Sequence, residues 1–328
     1  MTDVSPKELF LALPGGRTLA YEASGITSSS EVVIFFHGTF SVGLAPDTLS
    51  PALEAKKIHF IAPTLPGWGN TSAVPAGVQF HDQLYEDTTA LIEHLHPNVE
   101  SLKLYIAGGS FGTIPAQIIY GAPYDKFPLG RRIQGMLLLA PFSPFRVHKE
   151  YTKCLSWGNY FLVGPPCCIV PFKLVPRVVT FLVRRMGLAD TPEHANEFMR
   201  KFVFTDMSPE EKRLCEEWKA KKGIKDGEEV KSMANGVYRS VQKSWVGFMS
   251  GPEILHSSWG GYSPADLDEE HSKPVLLFLT KHDRQATQMG EWLAGKLKNA
   301  RIRYGEGGHV GALFVMDDIW EDFMSQFP

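Results

Sequence analysis

The chain has 328 residues, of which 44% are hydrophobic and 21% are charged, proportions that are ordinary for a globular protein. Its 33 basic and 36 acidic side chains give a formal net charge of -3, so the composition indicates neither a nucleic-acid-binding protein nor an acidic, solvating one. Disorder, collagen-like repeats and a disulfide scaffold are also excluded. A single large domain carrying an insertion fits the length best.

Strand and helix signals alternate along the first 140 residues. Short apolar runs without alternation indicate strands that are buried on both faces. The predicted elements are a hairpin of strands at 8–13 and 17–23, a strand at 32–36, a helix at 47–57, a strand at 58–62, a helix at 81–96, a strand at 102–107, a helix at 111–120 and a strand at 133–140.

The same rhythm returns at the end of the chain, with predicted strands at 274–280 and 301–304 and helices at 286–298 and 310–327. Strands that alternate with helices predict an α/β fold, in which a mostly parallel sheet is covered by helices on both faces.

Residues 142–255 break this rhythm, because they contain helical runs, such as 208–223, and no buried strand signal. We predict that this segment is a helical cap inserted into a core formed by 1–141 and 256–328. Its aromatic side chains are expected to form the core of the cap, with a few lining a substrate pocket; they are Phe142, Phe145, Trp157, Tyr160, Phe161, Phe172 and Trp245.

The apolar run 161–172 is too short for a membrane span, which needs about 18 or more apolar residues, and it contains three prolines. We interpret it as cap packing or a surface-facing apolar patch, and contact with a membrane surface through it is the disfavoured alternative. Within it, Cys167 and Cys168 are expected to be two buried thiols. The four cysteines match no zinc pattern and the N-terminus has no secretory pattern, so a cytoplasmic protein is expected.

The sharpest motif is Gly108-Gly109-Ser110-Phe111-Gly112, a G-x-S-x-G between a predicted strand and a predicted helix. A serine on such a tight turn presents its hydroxyl above the edge of the sheet, where it can act as a nucleophile. A glycine-rich turn with a capping serine is the structural alternative. Ser110 is the predicted nucleophile.

A serine hydroxyl needs a base, and the candidate is His309, in a glycine-rich loop after the last predicted strand. His282 is the main rival. His37 also stands near the predicted site, but a histidine that shapes its loop through hydrogen bonds is the favoured interpretation there.

The base needs a carboxylate to orient it, and Asp283 follows the strand at 274–280. Taken alone, an aspartate that caps the next helix would be the better interpretation. The other suitable place, after the strand at 133–140, has no acidic residue before Glu150, which favours Asp283.

An oxyanion hole requires two N–H donors that point at the developing negative charge. One predicted donor is the backbone N–H of Phe111. The other lies in the loop after the strand at 32–36, where Thr39 is the first choice and Phe40 remains open.

With these motifs in this order, the sequence resembles the α/β-hydrolase superfamily, in its capped branch. The resemblance covers roughly 7–141 and 259–328. The motifs that carry it are the His37-Gly38 loop, a Pro-Gly-Trp-Gly turn at 66–69, the G-x-S-x-G turn at 108–112 (the serine elbow), the loop of Asp283 and the Gly-Gly-His loop at 307–309. Serine at the elbow argues against the branches that use aspartate there, the haloalkane dehalogenases and epoxide hydrolases.

The resemblance implies a serine hydrolase that cleaves a carboxylic ester, thioester or lactone with an apolar group through a Ser-His-Asp triad and an acyl-enzyme. It implies no metal or organic cofactor and no nucleic-acid partner. Two alternatives stay open: a carbon–carbon bond hydrolase or lyase on the same triad, and a ligand-binding member of the fold without catalysis.

Overall fold

The computed structural model describes residues 7–185, 187, 190–205 and 207–327. An eight-stranded sheet forms its centre, in the order β1-β2-β4-β3-β5-β6-β7-β8. Strand β2 pairs antiparallel with both β1 and β4, and all the other neighbouring strands pair parallel, which confirms the predicted α/β class. The strands are β1 (Leu9–Leu13), β2 (Arg17–Gly25), β3 (Glu31–Phe36), β4 (His59–Pro63), β5 (Lys103–Gly109), β6 (Ile133–Leu139), β7 (Val275–Thr280) and β8 (Ala300–Gly305).

The central strands are buried on both faces. Successive side chains of a strand point to opposite sides of the sheet. In β3, Ile34 enters the core on one face and Val33 the core on the other; in β7, Leu277 and Leu276 divide in the same way. This double burial is the physical reason for the apolar runs without alternation in the sequence.

Before β6, the helices are α1 (Pro51–Ala55), α2 (Phe80–Leu95) and α3 (Thr113–Tyr120). Helix α1 is shorter than the predicted 47–57. It starts where Pro51 occupies the first turn, a position that needs no N–H donor. It stops before Lys57, whose φ of 55° is left-handed.

Between β6 and β7 the described chain is helical: α4 (Trp157–Val163), α5 (Pro166–Ile169), α6 (Leu174–Arg185), α7 (Pro192–Phe204), α8 (Pro209–Lys222), α9 (Lys231–Gln242) and α10 (Val246–His256). We call residues 142–255 the cap; its exact boundaries stay a prediction. The cap has a small core of its own around Met199, Cys215 and Val237, which also takes in Phe314 from the end of the chain.

Helices α11 (Arg284–Ala294) and α12 (Met316–Met324) follow β7 and β8. The predicted helix at 310–327 begins instead with a 3-10 segment, Gly311–Val315. There the amides of Gly311 and Leu313 bond to carbonyls three residues back, which tightens the turn just after His309. In the described part of the chain, no helix is long and apolar enough to cross a membrane.

Candidate active site

Ser110 stands on the turn between β5 and α3 with a left-handed φ of 52°, a strained conformation for a residue with a side chain. The turn is possible because its flanking glycines leave room. A Cβ on Gly108 would lie 2.2 Å from the carbonyl oxygen of Gly112, and one on Gly112 would lie 2.0 Å from that of Phe36. The G-x-S-x-G spacing is therefore required by backbone contact.

The structure brings Ser110, His309 and Asp283 together in one hydrogen-bonded chain. Ser110 Oγ lies 2.8 Å from His309 Nε2, and His309 Nδ1 lies 2.5 Å from Asp283 Oδ2. The His309 side chain is 40% exposed and that of Asp283 10%, so the imidazole faces open space while the carboxylate is buried behind it. This is the geometry of a nucleophile, a base and an orienting carboxylate.

Asp283 makes both of the contacts that the two interpretations of the sequence require, one to a helix N-terminus and one to His309. Its Oδ1 accepts the N–H of Ala286 at 3.0 Å and so caps α11, which leaves Oδ2 for His309. Burial raises the pKa of Asp283, but the hydrogen bond and charge of His309, with the Ala286 amide, outweigh it, and the net pKa lies below its ordinary value. The carboxylate is therefore ionised at neutral pH.

A buried glutamate of the cap supports the loop that carries His309. Glu211, in the first turn of α8, accepts the N–H of Gly308 through Oε1 at 2.9 Å. Gly307 has a φ of 94°, and a Cβ there would lie 2.7 Å from the same oxygen. In the sequence, Glu211 lies in the predicted helical run 208–223 beside Glu210, which is exposed, and no signal separates the two.

His37 holds the loop on the other side of the site. Its Nδ1 lies 2.8 Å from the carbonyl oxygen of Gly38, and its Nε2 accepts the N–H of Leu65 at 3.0 Å. Burial lowers the pKa of His37 to about 4, so the ring is neutral at physiological pH. Both nitrogens are occupied, which agrees with a loop-shaping histidine and not a base.

The candidate oxyanion hole lies beside Ser110. A Cβ on Gly38 would come within 3.3 Å of the Ser110 Cβ, so the loop after β3 passes directly over Ser110. Thr39, Phe40 and Phe111 line the same cavity as Ser110. Within the described residues, neither the Thr39 nor the Phe40 backbone N–H donates to a protein acceptor. The choice between them stays a prediction.

The rival histidine, His282, and the acid close to His309 in sequence make other contacts. The His282 side chain is exposed, and its backbone N–H donates to Gly307, which ties the loop of Asp283 to the loop of His309. Glu306, the acid nearest to His309 in sequence, forms an ion pair with Lys281.

Two cavities meet at Ser110, of about 440 Å³ and about 480 Å³. Thr39, Phe40 and His309 line both of them. The first cavity extends under α4 and α10, with Leu162, Val163, Phe248 and Leu255 in its walls. The second extends under α7 and α9, with Phe198, Met199, Met233 and Val237 in its walls.

The aromatic roof predicted from the sequence is only partly correct. Phe142 lines the first cavity, while Phe145 and Trp245 are buried. Trp157, Phe161 and Phe172, by contrast, are exposed at the surface. Cys168 is exposed as well, so only Cys167 of the two adjacent thiols is buried as expected.

In the described part of the chain, one group of side chains could hold a metal ion: Cys167, Cys168 and His256, whose ligand atoms all lie within 4.8 Å of one another. None of these residues lines either cavity. The group is therefore separate from the chemistry at Ser110.

The chain matches the model of the alpha/beta hydrolase family over residues 33–323. The protein belongs to that family. A search of curated protein sequences found no significant match.

Solved structures share the fold across nearly the whole chain. An esterase from Exiguobacterium antarcticum is 14% identical with a TM-score of 0.55, covering 97% of this chain and 98% of its own. A probable hydrolytic enzyme from Pseudomonas aeruginosa is 16% identical with a TM-score of 0.59, covering 98% and 93%. An epoxide hydrolase from Vigna radiata is 15% identical with a TM-score of 0.59, covering 98% of each.

Proposed function

We propose that the protein is a serine hydrolase that cleaves a carboxylic ester, thioester or lactone bearing an apolar group. The observation that carries the proposal is the chain of hydrogen bonds from Ser110 through His309 to Asp283, at the point where both cavities meet. A serine hydroxyl is a weak nucleophile unless an adjacent base removes its proton, and the 2.8 Å contact with Nε2 supplies that base.

The first half of the reaction forms the acyl-enzyme. Ser110 Oγ bonds to the carbonyl carbon of the substrate as its proton passes to His309 Nε2. The negative charge on the carbonyl oxygen is held by the backbone N–H groups of Phe111 and Thr39, with Phe40 as the alternative second donor. When the bond to the leaving group breaks, His309 returns the proton to the departing oxygen or sulfur.

The second half releases the acid. A water molecule gives a proton to His309 and bonds to the acyl carbon, and the Ser110 Oγ–carbon bond then breaks as Oγ regains the proton. Throughout both halves Asp283 stays ionised. It fixes the Nδ1–H tautomer and stabilises the imidazolium that forms twice in the cycle.

The walls of the cavities support an apolar substrate. Phe, Leu, Val and Met side chains dominate both linings, and two cavities that share Ser110 fit an ester with an apolar group on each side of the carbonyl. Near the triad, Asn159 and Gln285 form a hydrogen bond of 2.6 Å at the wall of the first cavity.

A fluorophosphonate probe tests the nucleophile, because it phosphonylates an activated serine and expels fluoride. We expect the wild type to be labelled and Ser110→Ala to be unlabelled. Ser143→Ala is the matched control, since Ser143 also forms a hydrogen bond with a histidine, His148, at 2.7 Å but is fully buried. Labelling that survives Ser110→Ala and disappears in Ser143→Ala would overturn the assignment.

A panel of short esters, acylglycerols, thioesters and lactones then tests the reaction. We expect the wild type to hydrolyse at least one of these classes and Ser110→Ala to hydrolyse none. A probe-reactive protein that hydrolyses none of them would instead support the carbon–carbon bond hydrolase or lyase. A folded protein that never reacts with the probe would support a ligand-binding member of the fold.

A further inference from the structure

Helix α6 of the cap buries one face and exposes large apolar side chains on the other. Pro176 and Thr180 lie on the buried face. On the opposite side of the helix, Val178, Phe181 and Leu182 are exposed, the last two each at 55%. A helix in a globular protein normally turns one apolar stripe inward and a polar face outward. The outer stripe of α6 is therefore unexplained by the fold of the monomer.

Neighbouring elements extend this stripe. Helices α4, α5 and α6 pack against one another, and large apolar side chains are also exposed on α4, on α5 and on the segment that joins α5 to α6. Trp157 is 82% exposed, Ile169 77% and Phe172 84%. We define the apolar cap surface as Trp157, Phe161, Ile169, Phe172, Leu174, Val178, Phe181 and Leu182.

The charged side chains in this part of the cap are all basic. Residues 151–185 contain five basic side chains and no acidic one, in a chain whose formal net charge is -3; the five are Lys153, Lys173, Arg177, Arg184 and Arg185. Arg177 and Arg185 are exposed on α6 itself, and the Arg185 guanidinium stacks on the Phe181 ring at 4.8 Å. Lys153 and Lys173 pair with acids outside this range, Glu150 and Glu253, and the three arginines of α6 form no ion pair within the described residues. Exposed aromatic and aliphatic side chains among such arginines are the pattern of a helix that lies in the interface of an anionic lipid layer.

The apolar cap surface also borders the cavity that contains Ser110. Leu162 and Val163 of α4 and Pro176 of α6 line the first cavity, while Phe161 of α4 and Val178 of α6 face solvent. Phe202 of α7 lines both cavities and is itself 56% exposed. The same helices therefore form the wall of the site and the exposed surface.

We propose that the apolar cap surface docks the protein reversibly on an anionic lipid surface. The apolar side chains enter the boundary between headgroups and acyl chains, and the arginines contact lipid phosphates and carboxylates. Docking does not depend on the reaction at Ser110. If the proposed function also holds, docking sets the cavity wall against the layer from which an apolar ester would come, which favours lipid-resident esters as substrates.

The test measures docking on the Ser110→Ala variant, so that it is separate from hydrolysis. Trp157 is the natural reporter, because it is the exposed one of seven tryptophans. We expect vesicles of phosphatidylcholine with phosphatidylserine to co-sediment the protein, and brominated acyl chains to quench its fluorescence. We expect vesicles of phosphatidylcholine alone to bind roughly tenfold or more weakly, because several basic side chains contribute to the contact.

Two pairs of variants locate the contact. Phe181→Asp with Leu182→Asp should abolish binding, whereas Leu9→Asp with Phe10→Asp, at comparably exposed positions of the edge strand β1, should leave it unchanged. Arg177→Glu with Arg185→Glu should weaken binding to anionic vesicles roughly tenfold or more. Lys126→Glu with Lys212→Glu, two exposed lysines outside residues 151–185, is the charge-matched control.

Three outcomes would overturn the proposal. One is the absence of binding to anionic vesicles, and another is equal loss in the cap variants and their controls. The third is a concentration-dependent dimer, measured by light scattering, that Phe181→Asp with Leu182→Asp dissociates; the apolar cap surface would then be covered by a second copy of the chain. A protein that hydrolyses esters but never binds vesicles would contradict the docking proposal and leave the proposed function intact.

Discussion

Glu211 accepts a hydrogen bond of 2.9 Å from the N–H of Gly308, the residue that precedes His309. The glutamate belongs to the cap and the histidine to the sheet domain, so this contact makes the position of the proposed base depend on the cap. The Glu211 side chain is buried, while Glu210 beside it is exposed and forms an ion pair with Arg213.

We predict that Glu211→Ala lowers kcat while changing KM little, because the loop of His309 loses an anchor whose removal costs about 1–3 kcal/mol. Glu211→Gln retains an oxygen acceptor and should recover most of the activity. Glu210→Ala is the control from the same helical turn. Steady-state kinetics and thermal unfolding of all three variants check the prediction, and equal loss in Glu211→Ala and Glu210→Ala would contradict it.

The serine elbow offers a test with two adjacent glycines. A Cβ on Gly108 would lie 2.2 Å from the Gly112 carbonyl oxygen, whereas the nearest atom to a Cβ on Gly109 is 3.7 Å away, in the Phe35 ring. Gly108→Ala should therefore destabilise the protein by roughly 3 kcal/mol or more, and Gly109→Ala should fold normally. Urea unfolding of the two variants measures the difference; equal stabilities would mean that the turn is not held by this contact.

Buried histidines should make stability depend on pH. Burial lowers the pKa of His59 to about 4, aided by the nearby His96, and burial also lowers the pKa of His96. The two rings share a hydrogen bond of 2.8 Å. Above the unfolded value of about 6.5 both states are neutral and the contribution is complete. Between about 6.5 and about 4 only the unfolded chain binds protons, so stability falls as the pH falls.

The free energy of unfolding, measured at intervals from pH 7.5 to pH 4.5, should therefore decline, with His59 alone accounting for roughly 1–3 kcal/mol. His96→Gln should flatten this decline, because one buried titrating ring has been removed. His94→Gln, at an exposed position of α2, should leave it unchanged. If the free energy of unfolding declines equally with pH in the wild type and both variants, these histidines do not control its pH dependence.

The sheet and the grouping of Ser110, Asp283 and His309 could be anticipated because local chemistry dictates them. Glycines around a serine impose a tight turn, and each of the three residues follows a different strand of one parallel sheet, so the ends of those strands bring them to a common edge. Their catalytic role stays a prediction. The shortened α1 and the 3-10 start before α12 were not anticipated, since element boundaries depend on individual prolines and turns.

The outer surface of the cap could be anticipated only as one of two alternatives, since the run 161–172 fits either cap packing or a surface-facing apolar patch. Apolar residues such as Trp157 and Phe172 are normally buried, and the sequence alone does not decide that they face solvent. Their exposure follows from how α4, α5 and α6 stack, which is a property of tertiary packing. For the same reason Glu210 and Glu211 look equivalent in sequence, although one is exposed and the other is buried against the loop of His309.

Cys168 should be the most reactive thiol of the protein. A hydrogen bond with the Cys167 thiol and the nearby His256 together lower the pKa of the exposed Cys168 to about 5. Burial raises the pKa of Cys154, and it raises that of Cys215 to about 11. At pH 6.5, iodoacetamide should therefore alkylate Cys168 well before the other two. Peptide mass spectrometry over time measures the order, and Cys168→Ser should remove the fast phase.

The two cavities at Ser110 predict separate selectivity for the two sides of an ester. Leu255→Phe narrows the first cavity and Val237→Phe the second, both at buried positions. One variant should lose activity on esters of long acyl chains, and the other on esters of long alcohols, by roughly tenfold or more. The loss is measured as kcat/KM on two series of esters, one lengthened only in the acyl chain and the other only in the alcohol. Thermal unfolding checks that both variants are folded. If both variants lose the same series equally, the substrate occupies the cavities in some other way.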